Sequence, residues 1–431
     1  MSENFVEKLK WRGLIHDITP ETEHYLSLNK ARGYIGFDPT SDSLHIGNLI
    51  QVLLLRHFQL SGHTPIVLIG GATGMIGDPS GKEEERKLLD PQTLQYNCDS
   101  IQKQLTKFLD FDSSTKNSGI LLNNYIWTKD YSLIDFSRDI GKHITVNYML
   151  AKESVKNRIS SSQSKGMSFT EFTYQLLQGF DFYHLYKQHK CSLQMGGSDQ
   201  WGNITTGIEL IRRKLSQKAH GITCPLVTKD DGTKFGKTES GNVWLDRNKT
   251  SPFRFYQYWI NITDRDAETL IKQFTFLKKK EIQALVSDHH KAPHERILQR
   301  TLADKLTLSV HSLEDLTFAK TATKILFGRS TIDDIKSLNH QNCNDIFQGI
   351  PKAIIPKEKL TSGLSIIDAL TEGNIFLHSK GQAKRALDQN AISVNKQKVS
   401  ENYRITLKDL IAGAYILLQK GKKNYFLLEI D

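Results

Sequence analysis

Four short apolar runs separated by amphipathic stretches constrain this chain more than any other feature. They lie at 32–37, 65–69, 119–123 and 192–195, each too short for a core helix. After the first run, residues 44–60 carry apolar side chains at helical spacing, which predicts a crossover helix between parallel strands. The first half therefore reads as α/β, with βαβ units around a parallel sheet. Residues 130–165 keep helical spacing without a strand and read as an insertion between the sheet halves. After Pro252 the pattern turns wholly helical, with helices expected at 253–260, 265–275, 279–289, 294–309 and 313–327, a separate helical module. Periodicity fades over 330–356, where Asn, Gln, Gly and Pro accumulate, and a linker is expected. Beyond it, Ser379 and Gln382 form a capping-box pattern for a helix ending near Asn390, and 392–399 reads as a hairpin.

Composition excludes several classes. No apolar run approaches the ~18 residues that span a bilayer as a helix. The start, Met1-Ser-Glu-Asn-Phe-Val-Glu-Lys, is acidic and lacks a signal peptide's apolar core. Cys98, Cys191, Cys224 and Cys343 are far apart with no C-x-x-C, so neither a disulfide framework nor structural zinc is expected, and a reducing cytoplasm is. His289, His290 and His294 lack a matching acid or cysteine and read as a solvated helix end, so no protein-bound metal is expected. The net charge of +10, from 57 Lys+Arg and 47 Asp+Glu, suits either solubility or a polyanionic partner. Residues 351–431 alone hold 13 Lys/Arg against 8 Asp/Glu, about half the excess.

Four constellations carry chemistry. Asp38 to Asn48 joins the first strand to the first helix, where open α/β sheets bind ligands. Ser43 is the expected N-cap, with His45 in the first turn and Asn48 one turn on, beside a helix N-terminus that favours anions. Gly47 would let a flat purine approach the backbone. Taken alone, His45 reads as a surface histidine in a capped helix. Gly70 to Lys82 is a glycine-rich turn in which Ile76 and Glu83 break a Walker A pattern, and no G-x-G-x-x-G is present. A P-loop NTPase and a dinucleotide dehydrogenase are thereby excluded; Asp78 either binds an amine or caps the turn. Lys234 and Lys237, with Thr238, make a cationic loop suited to a moving polyphosphate, or simply a solvated one. Tyr174, Gln178 and Asp181 fall at i, i+4 and i+7, a polar stripe that either meets a ligand or faces water.

In combination and in this order, the motifs resemble a known family. His45-Ile-Gly-Asn48 is similar to the HIGH signature, and Lys234-Phe-Gly-Lys-Thr238 to the KMSKS signature, of class I aminoacyl-tRNA synthetases. Tyr34-Ile-Gly-Phe-Asp38-Pro-Thr40, the Gly70 to Gly81 turn and Gly196-Gly-Ser-Asp199-Gln200-Trp-Gly-Asn203 resemble the bacterial-type tyrosyl-tRNA synthetases. Ser379 to Asn395 is similar to an S4 RNA-binding module. The chain departs from the pattern in three places: Asn48 ends the first signature, the second has Phe235-Gly236 inside and ends in Thr238, and Ile35 stands where a smaller or polar residue is common.

The resemblance implies a Rossmann-like catalytic domain at 1–221 with a dimer-interface insertion at about 130–165, and a mobile loop region at 222–250. It further implies an all-α anticodon-side domain at 251–329, a linker at 330–357 and a small α+β S4 domain at 358–431. It implies a homodimer in the cytoplasm that joins L-tyrosine to tRNA(Tyr) using ATP with Mg2+. In that scheme Thr40, His45, Asn48, Lys234, Lys237 and Thr238 act on the phosphates. Gly36, Asp38, Gly47, Gly197 and Asp199 line the nucleotide site. Tyr34 and Asp181 read the phenol, Asp78, Tyr174 and Gln178 hold the ammonium, and Gln200 sits near the carboxylate. Lys380, Lys384, Arg385, Lys422 and Lys423 would meet tRNA. Tryptophanyl-tRNA synthetase is the nearest alternative, disfavoured by Tyr34 with Asp181 and by the S4-like tail. A non-catalytic RNA-binding paralogue would have lost His45, Lys234 or Lys237, and all three are present.

Overall fold

A computed structural model of the chain describes residues 4–80, 88–160, 167–228, 232, 235–238, 241–328, 335, 338–347, 350–421 and 424–431. It forms two compact units, Met1–Thr250 with Ile262–Val310, and Ser251–Asn261 with His311–Asp431.

The first unit is built on a six-stranded sheet: β1 (Asp17–Ile18), β2 (Arg32–Phe37), β3 (Thr64–Ile69), β4 (Ile120–Asn123), β5 (Cys191–Gly197) and β6 (His220–Cys224). The order is β1-β6-β5-β2-β3-β4, and all pairs are parallel except the β1 edge. The chain runs outward from β2 to β4 and then returns to β5 on the other side of β2. That reversal opens a crevice at the carboxyl ends of β2 and β5. Alternation along β2 serves both faces. Tyr34 joins Ile66, Leu68, Phe182 and Ile211 in one core cluster. Gly33 faces Phe58 of the helix Ile46–Leu60, where an added Cβ would come within 3.0 Å of the ring. Apolar cover on both faces is what a parallel sheet requires.

Two readings of this unit change. The helix Ile46–Leu60 is capped by His45, with Ser43 outside it. Ser43 Oγ instead donates to the Leu44 carbonyl and accepts from Gln104 and from the Asp246 N–H. The helices of 251–329 also do not stand as one module, since Ile262–Val310 belong to the first unit. One reason is Arg12, buried at 4% exposure, whose guanidinium donates to the carbonyls of Lys272, Thr275 and Leu277 at 2.6 Å each. It thereby ends the helix Asp264–Phe274 on the N-terminal helix Phe5–Arg12. His289 is no solvated helix end either: it is 1% exposed, with Nε2 3.3 Å from Asp264, while His290 is exposed and pairs with Glu268.

Two other buried histidines set the acid limit of this unit. His57 packs on Phe276, and His63 stacks on Phe58 at 4.5 Å while its Nδ1 accepts the Ala31 N–H. Burial, aided by Arg12 and Lys8 near His57 and Lys30 near His63, lowers their pKa to about 3 and about 4. A depressed folded-state value gives stability that is present above the ordinary histidine value and lost as pH falls through the folded one. Asp181, raised by burial to about 7, acts oppositely, its share being lost as pH rises through 7. His184, lowered by burial to about 4, adds to them; with three histidines against one acid, the melting temperature should fall by several degrees between pH 7 and 5. His57→Phe should flatten that fall in a thermal-unfolding series; an unchanged slope would remove His57 from the account.

The second unit carries a five-stranded sheet in the order β12-β11-β14-β15-β9. In chain order β7 (Lys237–Thr238) and β8 (Gly241–Asn242) pair in the first unit; then come β9 (Lys352–Ile355), β10 (Leu364–Ser365), β11 (Ile392–Val394), β12 (Gln397–Lys398), β13 (Arg404–Ile405), β14 (Tyr415–Lys420) and β15 (Asn424–Ile430). Segment 330–357 is therefore no plain linker: its described residues include the helix His340–Phe347 and β9, which pairs parallel with β15. Both faces of β14–β15 are covered. Ile416, Leu418, Phe426 and Leu428 pack with the helix Lys380–Asp388. Tyr415, Leu417 and Leu427 pack with Phe253 and with Ile325 and Leu326 of the helix Leu313–Phe327. Ser379 caps its helix as expected, but Gln382 Oε1 accepts the His378 N–H rather than that of Ser379. Among the described residues no helix is long and apolar enough to cross a membrane.

Candidate active site

At the crevice beside β2 lies a cavity of about 700 Å3. Thirteen residues singled out from the sequence line it: Tyr34, Gly36, Asp38, Thr40, His45, Gly47, Asn48, Asp78, Tyr174, Gln178, Asp181, Asp199 and Gln200. Gly197, at the end of β5, is not among the lining residues; a Cβ there would come within 2.6 Å of Asp199 Oδ1. Lys234 lies outside the described residues, and Lys237 and Thr238 are described only by backbone pairing with Asn242 and Gly241.

The helix Phe169–His189 supplies the floor. Its capping box of Ser168 and Glu171 fixes the start, and the i, i+4, i+7 spacing turns Tyr174, Gln178 and Asp181 to one side. Asp181, 3% exposed, accepts from Asn124 Nδ2 and from Trp127 Nε1, both at 2.9 Å. Asn124 also donates to Thr73 Oγ1 at 3.0 Å, and Thr73 donates to Asp38 Oδ1 at 2.7 Å. Tyr174 donates to the other Asp38 oxygen at 2.7 Å. One polar chain thus runs from Trp127 to Tyr174. Burial, with Asp38 and Asp78 near it, raises the Tyr174 phenol well above its ordinary value.

Tyr34 breaks this pattern of satisfied groups. It is 1% exposed, its hydroxyl is buried, and it has no hydrogen-bond partner among the described residues. Burial first, then the Asp181 charge, holds it in the phenol form. Gln194 Oε1, in the same cavity, is likewise unpartnered among the described residues. Buried polar groups left open inside a cavity mark where a polar ligand would complete them.

A second cluster lies further along. Asp78 accepts from Gln200 Nε2 at 2.7 Å and from the Ser80 N–H at 2.9 Å. Asn203 donates to Gln178 Oε1 at 3.0 Å and Gln200 Oε1 at 3.3 Å, which ties the helix Trp201–Leu215 to the floor.

The mouth is formed by the helix N-terminus. His45 Nδ1 accepts the Gly47 N–H at 3.0 Å, and Asn48 Oδ1 accepts the His45 N–H at 3.1 Å. An accepting Nδ1 places the ring's proton on Nε2, so His45 can donate from there. A Cβ on Gly47 would lie 2.8 Å from His45 Cε1. Gly47 therefore leaves room for the histidine ring that caps the helix. The segment that follows the cationic loop is tethered here, with Ile46 N donating to Val243 O, Leu245 N to Leu44 O, and Trp244 bridging to His45.

Sequence reasoning assigned no role to Thr73, Asn124, Trp127, Gln194, Asn203 and Trp244. Asn203 and Thr73 lie inside the quoted motifs, and Asn124 directly follows β4, a position the strand-end rule singles out.

The geometry has counterparts. The family tRNA synthetases class I (W and Y) matches residues 27–328, and the Tyrosine--tRNA ligase SYY-like C-terminal domain matches 342–428. A Tyrosine--tRNA ligase of Flavobacterium johnsoniae is 56% identical over 430 residues, 99% of this chain and all of that protein. The chain belongs to the tyrosyl-tRNA synthetases, within class I. A second synthetase, from Bacteroides fragilis, is 54% identical over 426 residues, 99% of each chain. The crystal structure of a truncated mitochondrial tyrosyl-tRNA synthetase from Aspergillus nidulans superimposes with a TM-score of 0.67 at 30% identity. It covers 75% of this synthetase and 94% of that chain. This synthetase is accordingly an ATP-using aminoacyl-tRNA ligase.

Proposed function

We propose that the cavity holds L-tyrosine with its phenol between Tyr34 and Asp181 and ATP toward His45, as a tyrosine–tRNA ligase requires. The observation that carries this reading is the buried Tyr34 hydroxyl with no partner among the described residues, beside a carboxylate already oriented by Asn124 and Trp127. A substrate phenol can complete both groups, whereas phenylalanine leaves them open; that loss is the basis of tyrosine-over-phenylalanine selection.

In the first step the tyrosine carboxylate attacks the α-phosphorus, the bond to the bridging β-phosphate oxygen breaks, and pyrophosphate leaves with the electron pair. No protein nucleophile is needed, so the residues position and stabilise charge. Thr40, His45 and Asn48 would donate to phosphate oxygens, and Lys234, Lys237 and Thr238 would neutralise the leaving pyrophosphate. Gly36, Gly47, Gly197 and Asp199 would border the nucleotide; Asp78, Tyr174 and Gln178 would hold the ammonium and Gln200 the carboxylate. Asp38, with both oxygens already accepting, orients Tyr174 and Thr73. Magnesium would enter with the ATP phosphates; Asp38, Asp78 and Asp181 already accept hydrogen bonds within the site. In the second step the tyrosyl group passes to the 3′ end of tRNA(Tyr). Pyrophosphate exchange with tyrosine, tryptophan and phenylalanine tests the reading: exchange driven by tryptophan alone would overturn it.

The helical stretch 251–329 and the tail 358–431 are the parts we assign to tRNA. Lys380, Lys384 and Arg385 are exposed; Lys380 pairs with Asp368 at 2.7 Å and Lys384 with Glu401 at 3.0 Å. Exposed pairs of this kind are worth little and exchange readily for phosphate. Lys422 and Lys423 lie outside the described residues. Reversing the three charges to Glu should raise KM for tRNA about tenfold and leave pyrophosphate exchange unaltered. An unchanged KM would remove the tail from tRNA binding. Exposed Leu133, Ile134 and Val146 support the 130–165 insertion as a homodimer interface, and free buried cysteines fit a cytoplasmic setting.

A further inference from the structure

The turn between β11 and β12 is two residues long, because Val394 pairs with Gln397. Both turn residues are left-handed, Asn395 at φ 45° and Lys396 at φ 69°. This is the primed hairpin geometry, whose second position favours glycine. Asn395 is explained locally: its Oδ1 accepts the Leu417 N–H and its Nδ2 donates to the Asp409 carbonyl. Nothing in the turn itself calls for lysine at 396.

The reason lies at the end of a distant helix. Lys396 Nζ donates to the Leu326 carbonyl at 2.8 Å and to Tyr425 Oη at 2.7 Å, and stands 4.5 Å from the Tyr425 ring centre. The Tyr425 hydroxyl donates to the same Leu326 carbonyl. Leu326 lies in the last turn of the helix Leu313–Phe327, where carbonyls lack partners within the helix and a cation is favoured. Burial lowers the Lys396 ammonium to about 8, a sign of how far it has left water. A hairpin turn, β15 and a helix end thus meet at one carbonyl. The apolar layer of Ile325, Leu326, Leu417 and Leu427 holds the two faces together without direction, whereas hydrogen bonds fix their register.

We propose that Lys396, with Tyr425, is a positioning residue that clamps the RNA-binding tail to the helix Leu313–Phe327 and so sets where the tail presents Lys380, Lys384 and Arg385 to tRNA. The proposal rests on the reading of the tail as a tRNA surface. The clamp acts on the transfer step and not on adenylate formation.

Lys396→Gly suits the turn and removes the clamp, and Tyr425→Phe keeps the ring while removing the hydroxyl. In full-length protein both should keep tyrosine-dependent pyrophosphate exchange within about twofold of the parent. KM for tRNA should rise about tenfold for Lys396→Gly with kcat little changed. Small-angle scattering should show a broader pair-distance distribution, and Lys396→Arg, which can still donate to both oxygens, should restore KM. Unaltered KM and scattering in Lys396→Gly would overturn the clamp. The charge-reversal variant separates the two ideas. If reversal weakens charging and Lys396→Gly does not, the clamp fails and the tail reading stands. If reversal itself has no effect, the tail reading fails and the clamp falls with it.

Discussion

Asp181→Asn is expected to lower kcat/KM for tyrosine in pyrophosphate exchange by at least about a thousandfold. Asp181 is an acceptor on both oxygens, facing Trp127 Nε1 on one side and Asn124 Nδ2 on the other. An amide must turn its NH2 toward one of those donors, which loses a charge-assisted bond and sets donor against donor in a dry site. Each loss costs roughly 1–3 kcal/mol, and the substrate phenol then meets a neutral, misdirected group. Tyr34→Phe should act more gently, because the hydroxyl it removes has no partner among the described residues before substrate arrives. It should reduce preference for tyrosine over phenylalanine about tenfold and leave folding stability level or slightly higher. If Asp181→Asn stayed within tenfold of the parent, the phenol would have to be read elsewhere.

Gly47→Ala should be nearly as damaging as His45→Ala, each lowering kcat of the activation step about a hundredfold. The methyl group would stand 2.8 Å from Cε1 and 2.9 Å from Nδ1 of the histidine, so the ring must leave the Gly47 N–H that orients it. The imidazole would remain present but aimed wrongly. Because both changes remove the same oriented donor, the double variant should be no worse than His45→Ala, a non-additivity that a mutant cycle measures directly. Native kcat in Gly47→Ala would show that the cap does not orient the catalytic ring.

What could be read from the chain follows the range of the forces involved. Strand β2 and the stripe of Tyr174, Gln178 and Asp181 were legible because apolar alternation and helical spacing are local. The N-cap was misplaced because serine is the common cap and histidine a rare one, and only the fold shows Ser43 bonded to Gln104 and Asp246. β9 was hidden because four residues flanked by Pro351 and Pro356 look like a linker until β15 pairs with them. The division of the helices was equally invisible, since Arg12 caps carbonyls some 260 residues away. Asn124 and Trp127 carry no motif. Their importance comes from standing beyond β4, beside a carboxylate carried by another helix.

The two covered faces of the tail sheet have a consequence for synthesis. Ile325 and Leu326 are made early, but Leu427, which helps to cover them, emerges about a hundred residues later with β15. During translation that apolar surface has no final partner, and β9 waits 75 residues for its neighbour, Lys352 pairing with Leu427. The second unit therefore closes only when its last strand leaves the ribosome. A nonsense codon or frameshift within the tail would yield a sticky product for chaperones and proteases to clear, rather than a synthetase with weakened tRNA binding.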